Sequence, residues 1–352
     1  MLLNQPPLNQ PPLDRSDRIV TYSPAYTLVP TYECFNRCSY CNFRVDPGQD
    51  EWMTEATALS KLEALQGSGV IEILILSGEV HPKSPKRSLW FDRIYRFAKL
   101  ALDRGFLPHT NAGPLWRGEM EALGSVNVSL GLMLEQISSL VDSTVHRQAP
   151  SKAIETRLEQ LRWAGELHIP FTTGLLLGIG ETPTERITTL KTIAQVHQQW
   201  GHIQEVILQP YRPGEKQSGG KQSRDGNRDL PHHLSPDGLN FDLNQIPTIV
   251  AQAREILPPD ITLQIPPNLV ADGDLLLHCL EAGARDLGGL VPLDEVNPDY
   301  DHPSLPALSQ HLAAAGWQLQ PRLPLYPAFY SWSPIALCDK LPTDFPAKST
   351  KG

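Results

Sequence analysis

The chain alternates, over most of its length, between short apolar runs and stretches whose apolar residues recur every three to four positions. IEILIL (71–76) is, apart from Glu72, continuous in aliphatic residues, as suits a strand buried on both faces. VNVSLGLML (126–134), PFTTGLLLG (170–178), IQEVILQP (203–210) and ITLQIP (261–266) repeat the pattern. YTLVPTYE (26–33) precedes them, and shorter candidates lie at 107–111 and at DLGGL (286–290). Helical periodicity fills the gaps. It covers 54–67, the spacing of Trp90, Phe91, Ile94, Tyr95, Ala98 and Leu102, then 118–125, 151–166, 183–201, 246–257 and 275–284. Close to eight strand–helix alternations predict an α/β fold, a (β/α)8 TIM-type barrel fully or nearly closed, over residues 21–330. One such barrel can use most of a 352-residue chain.

The ends and one insertion stand outside that pattern. NQPPLNQPPL repeats a five-residue unit and predicts an extended, proline-rich tail over 1–20. Residues 214–238 are polar and rich in Gly, Pro and charge, so they read as a surface loop, and 331–352 read as a second tail. A net charge of −9 gives no basic field for nucleic acid or an anionic membrane. No apolar run reaches the roughly 18 residues of a membrane span. The N-terminal segment lacks the basic and apolar regions of a secretory signal, so a cytoplasmic location is expected.

On this map the unusual residues gather after strands. Cys34, Cys38 and Cys41 follow the first, Ser77, Gly78 and Glu79 the second, Asn111 the third and Glu135 the fourth. Gly178, Gly180 and Glu181 follow the fifth, and Gln209 and Arg212 the sixth. Barrel enzymes build their sites at that end of the strands.

Three of the five cysteines fall within ECFNRCSYC, residues 33–41. An odd count with a tight cluster argues against a disulfide framework and for a metal or catalytic site. Three explanations stand: buried structural thiols, a zinc site, or an iron–sulfur cube. Structural zinc wants four ligands, and Cys279 and Cys338 are single and distant; His81, His109 or His146 would have to complete the set. Three thiolates suit a cube whose fourth iron is left open.

C-x-x-x-C-x-x-C after the first barrel strand, with Tyr40 just before the last cysteine, closely resembles the radical S-adenosylmethionine (SAM) enzymes. That resemblance implies a [4Fe-4S] cluster on Cys34, Cys38 and Cys41, with SAM chelating the open iron and yielding a 5′-deoxyadenosyl radical. It implies that Tyr40, Gly78 and Glu79 lie near the cofactor, and that Gly178, Gly180 and Glu181 form the loop that packs on adenine. Glu135 would then hold the ribose and Arg157 the cofactor carboxylate. Ser77 departs mildly from the usual glycine there.

HTNAG (109–113), HRQAP (146–150), 162–182, GHIQEVILQPYRP (201–213) and DEVNP (294–298) further resemble the deazaflavin-forming 7,8-didemethyl-8-hydroxy-5-deazariboflavin (FO) synthases, in their CofG-type subunit. The resemblance spans about 26–327. It implies conversion of a hydroxybenzyl–ribityliminouracil adduct into FO with release of ammonia. It also implies a reducing electron donor and a CofH-type subunit that supplies the adduct. Asn111, His146, Arg147, Gln204, Gln209 and Asn297 are the hydrogen-bonding candidates for that substrate, with Met133 and Tyr40 as apolar walls. Another radical SAM reaction, that of the adduct-forming partner or of a biotin-synthase-like enzyme, and a non-catalytic zinc-binding protein are the rivals.

Overall fold

The computed structural model describes residues 18–214, 239, 241–270 and 272–333. Eight parallel strands close into a ring in the order β2-β3-β4-β5-β6-β7-β8-β1, with β1 returning to β2. They are β1 (Ile19–Leu28), β2 (Glu72–Leu76), β3 (Leu107–Asn111), β4 (Ser129–Gly131), β5 (Phe171–Leu177), β6 (Ile203–Pro210), β7 (Thr262–Gln264) and β8 (Asp286–Leu290). The larger helices on the outside are α1 (Glu55–Ala64), α2 (Arg87–Asp103), α3 (Arg117–Gly124), α5 (Ile154–Glu166), α6 (Pro183–Trp200), α7 (Ile246–Ile256) and α9 (Gly273–Glu281). The predicted TIM-type barrel is therefore the fold. Its core forms one continuous aliphatic cluster between sheet and helices, from Ile73 and Ile75 through Trp90, Ile94 and Phe97 to Ile193, Val206 and Val250.

Local chemistry explains the helix starts. Thr54 accepts the Thr57 amide at the head of α1. Thr182 and Glu185 form a capping box, with Pro183 inside the first turn of α6.

Several expectations need correction. The first strand is Ile19–Leu28, not 26–33. Pro30 ends the strand, because it has no amide to donate, and Pro24 disguises its middle. Pro24 is tolerated beside a register shift between Thr21 and Ser23 against β8. The barrel thus begins two residues inside the expected tail. Fourth-strand pairing is only three residues long and resumes as a single bridge between Glu135 and Leu175.

Two short helices, α4 (Ser139–Ser143) and α8 (Pro267–Val270), were not expected. Neither were α10 (Leu305–Ala314) and a ninth strand, β9 (Gln318–Pro321), which pairs with Ile19–Tyr22 of β1. After β9 the chain crosses the N-terminal face of the barrel. There Leu323, Leu325 and Phe329 pack on Leu102, Leu107 and Val128. Among the described residues no helix is long and apolar enough to cross a membrane. The expected tail at 1–17, nearly all of the polar loop, Cys338 and the end of the chain lie outside the described residues.

Candidate active site

The cysteine loop is tied to its neighbours strand by strand. The Cys34 amide donates to the Val45 carbonyl (3.1 Å), and the Phe35 amide to the Glu79 carbonyl (3.0 Å). Arg37 and Ser39 amides donate to the carbonyls of Gln148 and Val145. Gly78 closes this zipper: its amide donates to the Thr31 carbonyl at 2.8 Å, and a Cβ there would lie 2.2 Å from the Glu33 carbonyl oxygen. Only glycine lets the second strand's loop approach that closely.

Cys34, Cys38 and Cys41 are free, half-buried thiols lining one cavity of about 240 Å³ at the C-terminal mouth of the barrel. Burial pushes the Cys34 thiol up to about 11 and the Cys38 thiol up to about 12. Such thiols keep their protons until a cationic centre displaces them. Among the described residues no three His, Cys, Asp or Glu side chains converge on a single-ion site. Thiolate is the donor that iron–sulfur clusters take, and three thiols line this one cavity. The donor set fits the cluster.

A ring of charge lies beside the thiols. The Arg157 side chain is only 2% exposed, so it is not a solvated charge on the face of α5. It donates to the carbonyls of Ser151 (3.0 Å) and Met133 (2.8 Å) and lies 3.6 Å from Glu79. Glu79 also accepts from Asn36 at 2.9 Å and from the Ser151 hydroxyl. Glu135 has a left-handed backbone (φ 66°), fixed by its amide on the Gly174 carbonyl. Its carboxylate faces the cavity and pairs with Lys152 at 2.5 Å. Burial alone would raise that carboxyl's pKa, but Lys152 and Arg157 overcome it and hold it below the usual range. Two cations and two carboxylates thus stand as neighbouring pairs on one cavity wall. That arrangement fits the amino-acid end and ribose of SAM.

Lys152, Ser151 and Asn36 were missed. Asn36 sits inside the cysteine motif itself. Lys152 comes two residues after HRQAP, on a single 3-10 turn (Pro150–Lys152) whose side-chain direction has no periodic signal.

Other expected residues sit elsewhere. Gly178, Gly180 and Glu181 do not line the cavity. The fully buried Glu181 carboxylate accepts the amides of Gly178 (2.9 Å) and Ile179 (2.9 Å) and the Arg186 guanidinium (2.9 Å), so it locks the loop. At Gly178 (φ 92°) a Cβ would meet Phe241 at 2.6 Å; the close approach is to a side chain of this chain. His146 stands behind the wall, where its Nε2 bonds the Tyr40 hydroxyl at 2.9 Å and Asp142 lies 3.4 Å from its Nδ1. Gln204 belongs to the opposite, N-terminal end of β6. Its amide group there reaches the Pro324 carbonyl and receives the Tyr326 amide. Asn111, Gln209 and Asn297 do line the mouth cavity, with Tyr40, Met133 and Arg212.

Comparison with known proteins agrees with this geometry. The Radical SAM superfamily matches residues 28–193. A 7,8-didemethyl-8-hydroxy-5-deazariboflavin synthase of Synechocystis sp. is 60% identical over 313 residues, covering 89% of this chain and 95% of that one. The enzyme of that name from Nostoc sp. is 59% identical over 314 residues, covering 89% and 88%. Among solved structures, the FeFe-hydrogenase maturase HydG from Carboxydothermus hydrogenoformans shares the fold. Its TM-score is 0.66 at 19% identity, covering 86% of this chain and 68% of that one. Methylornithine synthase aligns with TM-score 0.62 at 15% identity, covering 87% and 86%. The superfamily's cofactors are a [4Fe-4S] cluster and SAM, and the cavity's thiols and charges suit both. Identity this high over nearly nine-tenths of the sequence, on a barrel with its thiol loop after strand one, makes this chain a member of the FO synthase family of radical SAM enzymes.

Proposed function

We propose that this enzyme carries out the ring-closing half of FO synthesis, converting the hydroxybenzyl–ribityliminouracil adduct into the deazaflavin with loss of ammonia. One observation carries this reading. The mouth cavity opens along Leu76, Asn111, Ile207, Gln209, Val296 and Asn297 into a second cavity of about 180 Å³ within the barrel, so six residues line both. A substrate seated there would lie against the cofactor on one side and polar barrel wall on the other.

The cluster and SAM, when bound, supply a radical able to remove hydrogen from carbon. Residues of this chain do the rest. Cys34, Cys38 and Cys41 hold the cluster. Arg157 and Glu79 receive the carboxylate and ammonium of SAM, and Glu135 accepts from its ribose hydroxyls. Lys152 keeps Glu135 ionised for that task. Tyr40, held by His146, and Met133 form walls that keep water from the reacting carbon. Asn111, Gln209 and Asn297 orient the uracil edge through amide hydrogen bonds. A CofH-type subunit supplies the adduct, and an external donor supplies the electron.

The test is anaerobic turnover with adduct, SAM and a reductant. FO fluorescence appearing with ammonium and 5′-deoxyadenosine supports the assignment. Formation of adduct from tyrosine and the ribitylaminouracil instead would assign the chain to the partner reaction.

A further inference from the structure

The inner cavity is unusual for a barrel core. Barrel interiors are ordinarily filled with branched apolar side chains. Here the shaft is lined by His109, Thr172, Gln204, Glu205, Asn268 and Arg322 among others. It runs from the loops after β7 and β8 down to the segment that closes the N-terminal face.

We infer that this shaft is the seat of the substrate's polyol tail, and that it selects a neutral, unphosphorylated chain. The inference rests on the ring-closing function proposed above and names the part of the substrate that the barrel interior recognises.

Three observations support it. First, polar atoms on the shaft wall lack partners. Asn268 is 4% exposed; its amide group donates to Asp294 (2.8 Å) and to the Tyr300 carbonyl (3.1 Å), while its Oδ1 is buried with no partner. His302 Nδ1 is also buried without one. A buried acceptor without a donor is costly, and because Asn268 lines the shaft, a small turn of its side chain would offer Oδ1 to a ligand hydroxyl.

Second, His109 is a neutral acceptor. The Ser129 hydroxyl donates to the Pro324 carbonyl at 2.6 Å, so His109 Nδ1, 2.7 Å from that hydroxyl, must carry the hydrogen. Its Nε2 is then free of a proton. Burial, with Arg322 adding to it, lowers the ring's pKa to about 3, so it stays neutral.

Third, the charges refuse an anion. Asp294 and Glu295 flank the upper shaft; below it Asp286 is paired with Arg322, and burial raises the Glu72 and Glu205 carboxyls so that they add hydroxyl-like partners rather than a site for an anion. The Arg322 cation is occupied. It donates to Asp286 (2.5 and 2.7 Å), to Glu205 (2.8 Å) and to the Leu323 carbonyl (3.1 Å). No guanidinium edge is left to receive a phosphate. Hydroxyls both donate and accept, which is what a wall of amides, a neutral imidazole and carboxyls asks of a ligand.

The test uses the reconstituted holoenzyme and three fluorescent probes: FO itself, the same chromophore with a methyl group replacing the ribityl chain, and FO phosphorylated at the end of that chain. Affinities are read by anaerobic fluorescence titration. Two or more hydrogen bonds to the chain predict that FO binds roughly tenfold or more tighter than the methyl analogue. The phosphorylated probe should bind no tighter than the methyl analogue. Asn268→Leu should weaken FO several-fold while leaving methyl-analogue affinity unchanged, which also reports that the variant is folded. Equal binding of FO and the methyl analogue, tightest binding of the phosphorylated probe, or equal weakening of both neutral probes by Asn268→Leu overturns the subsite. If those failures occur while FO is still formed from adduct, the subsite alone falls. If the wild type cleaves SAM but makes no FO from adduct, the ring-closing function falls and the subsite with it.

Discussion

Replacing Lys152 with Met removes the ammonium paired with Glu135 and keeps most of the side chain's bulk. The two side chains are only 15% and 6% exposed, so solvent cannot take over the ammonium's role. Breaking a buried pair by deleting one partner costs about 3–5 kcal/mol, because the remaining charge is left in a poor dielectric. Arg157, which also lowers the Glu135 pKa, should hold the loss toward the lower figure. A loss of about 3 kcal/mol would lower the melting temperature of a chain this size by roughly 4 °C.

The sign of the pH dependence follows. In the wild type the Glu135 carboxyl is held below its usual pKa, so its stabilising contribution is present above about 4.5 and fades only as pH falls through the depressed value. Without Lys152, burial dominates and the carboxyl takes up a proton at higher pH. The deficit of the variant should therefore be larger at pH 8 than at pH 5. Lys152→Met combined with Glu135→Gln should recover most of the loss, since no charge is then stranded. Thermal unfolding of the four proteins, followed by circular dichroism at both pH values, completes the cycle. A deficit below about 1 kcal/mol, or a double variant no more stable than Lys152→Met, would refute the claim that this pair is buried and charged.

Three further outcomes are expected. Burial, reinforced by Asp286 and only partly offset by Arg322, raises the Glu205 carboxyl to about 8, so the unfolded chain loses that proton first and wild-type stability should fall as pH climbs from about 4.5 to 8. Glu205→Gln should flatten that decline in a melting series; an unchanged slope would mean the carboxyl is ionised in the fold. Gly178→Ala should lower the melting temperature through its clash with Phe241 and its positive φ, at a cost of about 1–3 kcal/mol, while SAM affinity measured well below melting stays near wild type. Weaker SAM binding without a lower melting temperature would return Gly178 to the cofactor. Tyr40→Phe should leave iron content intact and lower only turnover, since it removes just the hydroxyl that His146 holds.

Much of the barrel was legible because its strands are apolar on both faces and its helices begin with recognisable caps. Leu107–Asn111 and Ile203–Pro210 stand where their composition put them. The first strand was misplaced because Pro24 interrupts it and the apolar residues that follow lead past Pro30. β9 was missed for a different reason. QLQP has no apolar alternation, and its pairing with Ile19–Tyr22 is a contact almost three hundred residues distant in sequence. The thiols, Glu79 and Glu135 gather at one cavity because each follows a strand end, and such positions can be read from order along the chain; Arg157 reaches it from the first turn of α5. Lys152 and Arg322 could not be read so. Each acts through a turn or a crossing segment whose direction depends on tertiary packing. Glu181 shows what a motif leaves open: its place in a glycine-rich loop resembles a cofactor contact, and its oxygens hold the loop's own amides.

The central claim is that three thiols after the first strand carry the radical chemistry. Iron and sulfide should be counted after anaerobic reconstitution of the wild type and of Cys34→Ala, Cys38→Ala, Cys41→Ala and Cys279→Ala, with 5′-deoxyadenosine formation followed in parallel. Cys279, on the buried face of α9, is part of the hydrophobic core and does not line the cavity. The account predicts about four irons in the wild type and in Cys279→Ala, and loss of both the intact cluster and 5′-deoxyadenosine in the other three. An intact, SAM-cleaving cluster in Cys38→Ala, or its loss in a folded Cys279→Ala, would contradict it.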